Sequence, residues 1–273
     1  MMTGSSSAAE SKPKVFDSRY YIYEIVGRGA SSVVYRAKHV LNDKRELALK
    51  VLLPQNGKEF NSDLLRHESL ALITARHNYV IRLEDFRSVD SICYLAMEYA
   101  SLHNLAKYYG ENKANILPVQ LERYLTQITE ALSFMHNIGM CHRDIKPDNI
   151  LLINDRQARL SDLGMTTLPG QKTSVEELKN GIGTFDYMPP EVLKGKDFDP
   201  RADIYSLGLS FYELFSGSHP FKNLSLGQSL IARETQNIVP LKSLLPDIPE
   251  YICLLYTSPS PRDQRGSRMP SSA

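Results

Sequence analysis

The polar stretch His142-Arg143-Asp144-Ile145-Lys146-Pro147-Asp148-Asn149 runs straight into the apolar run Ile150-Leu151-Leu152-Ile153. A second short strand-like piece, Ala158-Arg159-Leu160, ends just before Asp162-Leu163-Gly164. Two such pieces around a polar turn predict a hairpin. A hairpin here has a strict consequence: Asn149 enters its first strand where Asp162 leaves its second, so the two side chains reach one point in space. A lone Asp in a polar loop usually just solvates a turn. An ordered run of acids, a cation and an amide calls for a chemical reading.

Transfer of a phosphoryl group from a nucleotide needs three things: a carboxylate to take the proton of the attacking hydroxyl, a cation near the moving phosphate, and oxygen ligands for Mg²⁺. Asp144, Lys146, and the pair Asn149 and Asp162 can supply them in that order. Carboxylate and amide oxygens are hard donors and suit magnesium.

Composition bounds the surroundings of this chemistry. The 273 residues suffice for a sizeable core in two lobes, and 32 Lys plus Arg against 31 Asp plus Glu argue against nonspecific nucleic-acid binding. No run of eighteen apolar residues and no hydrophobic signal core occur, which predicts a soluble, cytoplasmic or nuclear protein without a membrane partner. Cys93, Cys141 and Cys253 are too few and too scattered for a disulfide framework or a zinc site.

The Ser-, Ala- and Lys-rich residues 1–19 read as a disordered leader. β-prone segments follow at 20–26, 33–37, 47–52, 81–86 and 92–97, interrupted by one helix at about 61–75. After residue 100 helices dominate. Leu121, Tyr124, Leu125, Ile128, Ala131, Leu132 and Met135 recur at helical spacing, and 204–215 is apolar almost all round, with Asp203 at its start and Gly217 past its end. The expected fold class is α+β: a small antiparallel sheet with one main helix, then a mainly helical lobe.

From about residue 20 to 255 the chain resembles eukaryotic protein kinases of the serine/threonine type, with the motifs in the family's order. Val26-Gly27-Arg28-Gly29-Ala30-Ser31-Ser32-Val33-Val34 looks like the glycine-rich loop, set between two strands and not before a helix. Ser32 stands where a third glycine is usual, as in the loops of phosphorylase kinase and some calmodulin-dependent kinases. The resemblance implies a Lys50 to Glu68 ion pair that orients the α- and β-phosphates of ATP. It also implies an adenine slot of Val34, Ala48 and Leu151, with Met97 at its rear and the backbone near Glu98 and Ala100 reading the base edge. Leu72, Leu83, His142 and Leu163 would form the regulatory spine.

Lys146, two residues after Asp144, and Thr184, in Gly183-Thr184-Phe185-Asp186-Tyr187-Met188-Pro189-Pro190-Glu191, resemble the serine/threonine type and imply a protein substrate. Arg143 implies ordering of the activation segment by a phosphate, with Thr173 or Ser174 as the switch. In this reading 20–97 is the N-lobe and 98–255 the hinge and an incomplete C-lobe, while the Pro-, Ser- and Arg-rich 256–273 is a tail of doubtful origin, either a non-native extension or a genuine disordered tail. Two function classes follow. One is an ATP- and Mg²⁺-dependent protein serine/threonine kinase; the other is a kinase-fold binding or scaffold module, inactive because its C-lobe is incomplete.

Overall fold

In a computed structural model the chain divides into two compact units, one of Met1–Leu70 with Arg82–Tyr99 and one of Ala71–Ile81 with Ala100–Ala273. The structure describes residues 13–29, 31–53, 62–89, 92–171, 185–235, 238–250 and 252. Residues 71–81 group with the helical unit.

The first unit is a six-stranded antiparallel sheet in the order β1-β2-β3-β4-β6-β5. Its strands are β1 (Lys14–Phe16), β2 (Tyr20–Arg28), β3 (Ser32–His39), β4 (Asn42–Leu52), β5 (Leu83–Val89) and β6 (Ile92–Glu98), with helix α1 (Ser62–Thr74) between β4 and β5. Side chains alternate across the pleat, so register decides what each face does. Tyr20, Ala37, Leu47, Leu49, Tyr94 and Ala96 make the core on one face. The pairings Val34↔Lys50 and Ala48↔Met97 put these four residues together on the other.

Strand β1 and the start of β4 differ from the sequence expectation. Lys14–Phe16, assigned to a disordered leader, is a strand paired with Tyr20–Ile22, so the ordered unit begins before residue 20. Three residues are too short for periodicity, and distant partners hold them. The Asp17 carboxylate accepts hydrogen bonds from Arg87 Nη1 at 2.8 Å and Tyr94 Oη at 2.9 Å, and the Phe16 ring meets the Tyr94 ring edge-on at 5.5 Å. Strand β4 starts at Asn42, five residues early, because its charged entry is paired across strands: Glu46 to Arg36 at 2.7 Å, and Arg45 to Glu84 at 2.5 Å. Residues 1–12 and those after 252 lie outside the described part, so the tail expectation finds no counterpart there.

The second unit holds α2 (Leu105–Asn112), α3 (Pro118–Asn137), the hairpin β7 (Ile150–Asn154) and β8 (Gln157–Leu160), then α4 (Pro190–Leu193), α5 (Pro200–Ser216), α6 (Leu226–Thr235) and α7 (Leu241–Leu244). The face of α3 expected to be apolar is buried, with Gln127 as its one polar member. Each fully buried Leu or Ile on it contributes roughly 1.5–3 kcal/mol. Helix α5 starts at Pro200, not at Asp203, and the Asp199 side chain caps it by accepting the Arg201 amide at 2.8 Å. The α+β architecture is the one expected.

Candidate active site

The hairpin forms, and its register is the one the site requires. Ile150 pairs with Leu160, and the Ser161 amide and hydroxyl both donate to Asn149 O at 2.9 Å. Asp162 follows at once, exposed and in the left-handed region with φ 61°. Both edges of the hairpin are tied down. Tyr124 and Gln127 of α3 donate to the turn carbonyls of Asp155 and Arg156, and the Ala158 amide donates back to Gln127 Oε1. Leu102 and His103 exchange backbone hydrogen bonds with Leu152, while Tyr79 and Ile81 do so with Leu160.

Three of the singled-out side chains converge ahead of the hairpin. Asp144 Oδ2 accepts from Lys146 Nζ at 2.7 Å and from Asn149 Nδ2 at 2.8 Å. The same Asn149 nitrogen donates to Asp144 O at 2.7 Å. With its nitrogen so engaged, the Asn149 amide oxygen is the atom of that side chain left as a donor for a cation, and Asp162, just past the hairpin's second strand, carries a carboxylate. Two hard oxygens beside a turn fit Mg²⁺ with phosphate and water completing the shell.

What holds this loop is a residue the sequence reading took for a helix start. Asp203, fully buried in the first turn of α5, accepts the His142 amide at 2.8 Å, the Arg143 amide at 2.9 Å and His136 Nε2 at 2.8 Å. Arg143 has φ 73°, a region costly for a side chain with Cβ, and the bond from its amide pins it there. His142 adds a link that its apolar spine assignment did not foresee: Nε2 donates to Ser161 O at 3.0 Å and Nδ1 accepts the Asp144 amide at 3.3 Å. One ring thus ties the residue before Asp162 to Asp144. The only sequence signal for Asp203 was an acid inside an otherwise apolar helix. Nearby, burial, with the Asp203 charge adding, pushes the Cys141 thiol up to about 11, so it is no nucleophile at neutral pH.

In the first unit, Lys50 Nζ donates to both Glu68 oxygens, at 2.8 and 2.7 Å. The side chains are 17% and 4% accessible, so a strand cation and a helix acid meet in a nearly dry place. The glycine-rich turn is closed by Gly29 N–H to Ser32 O at 2.8 Å, and Ser32 is buried. Gly27 and Arg28 lie across from Val34 and Val33. The Glu98 amide donates to Arg82 O at 2.9 Å. Leu151 is half-buried on β7, and Leu72, His142 and Leu163 are buried in the second unit. Ala30, Thr184, Thr173 and Ser174 lie outside the described residues.

Residues 20–254 match the protein kinase domain, and the chain belongs to that family. It is similar to a probable serine/threonine-protein kinase of Clostridium acetobutylicum, 33% identical over 86% of this chain and 36% of that protein. It is also similar to the probable serine/threonine-protein kinase PknB of Lactococcus lactis, at 27% over 87% and 38%, and to the serine/threonine-protein kinase PrkC of Bacillus subtilis, at 29% over 91% and 38%. The chain therefore spans less than two-fifths of the length of these relatives. Among the described residues no helix is long and apolar enough to cross a membrane.

Proposed function

We propose that this chain transfers the γ-phosphoryl group of ATP to serine or threonine hydroxyls of a protein substrate. The observation that carries the reading is the Asp144 carboxylate, which accepts from Lys146 and Asn149 within a loop fixed by Asp203. Asp144 accepts the proton of the attacking hydroxyl, and its two donors keep the carboxylate aimed. Lys146 holds positive charge beside the group being transferred. Lys50, fixed by Glu68, binds the α- and β-phosphates. Asn149 and Asp162 hold the divalent cation. When bound, ATP with Mg²⁺ supplies the transferable group and neutralises its charge. Val34, Ala48, Met97 and Leu151 supply apolar contacts for the base.

An inactive binding module has no observation in its favour, since Lys50, Glu68, Asp144, Lys146, Asn149 and Asp162 are all present. The test is Mg²⁺-dependent phosphate transfer to a generic basic protein, compared with the Asp144→Asn variant. Transfer should fall by about 10²–10⁴-fold in the variant, with phosphoserine or phosphothreonine as the wild-type product. Equal background in both, or phosphotyrosine alone, overturns the reading.

A further inference from the structure

The first unit holds a half-open cleft of about 330 Å³ between the start of β2, the turn joining β3 to β4, and β5. Its buried lining residues, Tyr20 and Leu47, belong to the core on one sheet face, opposite the face that carries Val34, Ala48 and Lys50. The cleft is therefore separate from the residues proposed to meet ATP. Its volume lies within the range of small-molecule pockets, roughly 300–1,000 Å³.

The rim is cationic, and its cations are held still. Arg19 Nη1 meets Asp85 Oδ2 at 2.7 Å, an oxygen that also accepts the Tyr20 hydroxyl at 2.8 Å. Arg45 Nη2 meets Glu84 Oε1 at 2.5 Å, and Arg82 Nε shares that oxygen at 2.6 Å. Each carboxylate takes a single nitrogen of its rim arginine. The other N–H groups of Arg19 and Arg45 have no partner among the described residues. A guanidinium fixed at one nitrogen presents the rest of its planar fork ready aimed.

A third donor comes from the strand turn. The His39 ring stands edge-on to Tyr20 at 5.3 Å, and its Nδ1 accepts the Leu41 amide at 3.2 Å. In the neutral ring that bond leaves the proton on Nε2, a donor with no partner among the described residues. Arg19 itself follows a strained turn: Asp17 and Ser18, at φ 50° and 55°, both lie in the left-handed region. Such turns normally take Gly or Asn, and the Asp17 bonds to Arg87 and Tyr94 keep this one in place.

We infer that this cleft is a binding site for a small phosphate-bearing metabolite, whose phosphate oxygens accept from Arg19, Arg45 and His39. Donors arriving from three segments surround an anion and do not lie in one plane, which suits tetrahedral phosphate better than a flat carboxylate. The cleft is roomier than a phosphate ion, so the organic part of the molecule fills the remainder over Tyr20 and Leu47. The site stands on the sheet unit alone and does not depend on the kinase reading.

The experiment titrates the full chain with inorganic phosphate, glycerol 3-phosphate and acetate, followed by calorimetry and by the rise in Tm that ligand binding produces. Wild type is compared with Arg45→Gln, His39→Gln and Lys50→Met. Glycerol 3-phosphate should bind at least as tightly as phosphate, and acetate about tenfold more weakly. Arg45→Gln should weaken phosphate binding by roughly ten- to a hundredfold and His39→Gln by roughly three- to tenfold, while Lys50→Met keeps it. If Arg45→Gln does not fold, phosphate-induced shifts of the His39 ring signals in the wild-type NMR spectrum decide, their absence counting against the site. Three results overturn the inference: no binding of either phosphate; acetate binding as well as phosphate; or binding lost in Lys50→Met and kept in Arg45→Gln and His39→Gln, which puts the anion among the ATP-side residues.

Discussion

The two sets of candidate residues, one in each unit, are held by opposite means. In the sheet unit, Lys50 and Glu68 are 18 residues apart, and a single ion pair between strand and helix makes the geometry. In the helical unit, Asp144, Lys146 and Asn149 lie within one short loop, and backbone amides hung on Asp203 do the fixing. An ion pair with little solvent around it is brittle, because losing one partner strands the other charge. A loop pinned through its main chain tolerates change in its own side chains and fails at the anchor. The first half is therefore sensitive at the groups that would touch ATP, the second at a residue that touches nothing reactive.

The largest effect should come from that anchor. Asp203→Ala leaves the His142 and Arg143 amides without their acceptor, and a loss of about 3–5 kcal/mol is expected, read as a lower urea midpoint together with abolished transfer. A variant with wild-type stability would show that the loop stands without Asp203. Next, Lys50→Met should cut transfer about 10²-fold, whereas Glu68→Gln, which keeps a hydrogen-bond acceptor, should cost less than tenfold. If the two variants were equally impaired, the brittleness argument would fail.

A smaller effect is expected at the far end of α5, the helix that carries Asp203. Gly217 caps it at φ 81°, and an added Cβ would stand 2.5 Å from the flexible Lys113 ammonium. Gly217→Ala should cost about 1–2 kcal/mol, seen as a few degrees in Tm, with the Lys50 to Glu68 half unaffected and ATP affinity unchanged.

The smallest effect is one of pH. Burial lowers the His219 pKa below its ordinary value, against the opposing pull of Glu213 and Asp186. The unfolded chain then binds that proton more readily than the folded one. Stability from this group is therefore complete above the ordinary histidine range near pH 6.5 and declines as pH falls below it. Urea midpoints taken from pH 7.5 to 5.5 should drop less steeply in His219→Gln than in wild type; parallel slopes would remove His219 as the cause.

Much of the fold was readable along the chain because its elements carry their own periods. The α3 face, the hairpin at 150–160 and the strands from 20 onward announce themselves in residues a few positions apart. The parts that escaped are those made by distant partners. Lys14–Phe16 has no pattern of its own and exists as a strand through Arg87 and Tyr94. Asp203 reads as a helix-terminal acid until its carboxylate is found under the His142 and Arg143 amides.

Residue order alone thus pointed to the groups proposed for the chemistry, since Asp144, Lys146 and Asn149 lie within hydrogen-bonding reach along the chain and Asp162 follows the hairpin that begins after Asn149. It took the folded units to decide what steadies the candidate residues: the Asp203 anchor under the Asp144 loop and the pairing of Lys50 with Glu68. Short-range contacts follow from backbone geometry that neighbouring residues encode. Contacts across tens of residues form only when packing brings two helices or a strand and a helix into register, and no local pattern records that meeting.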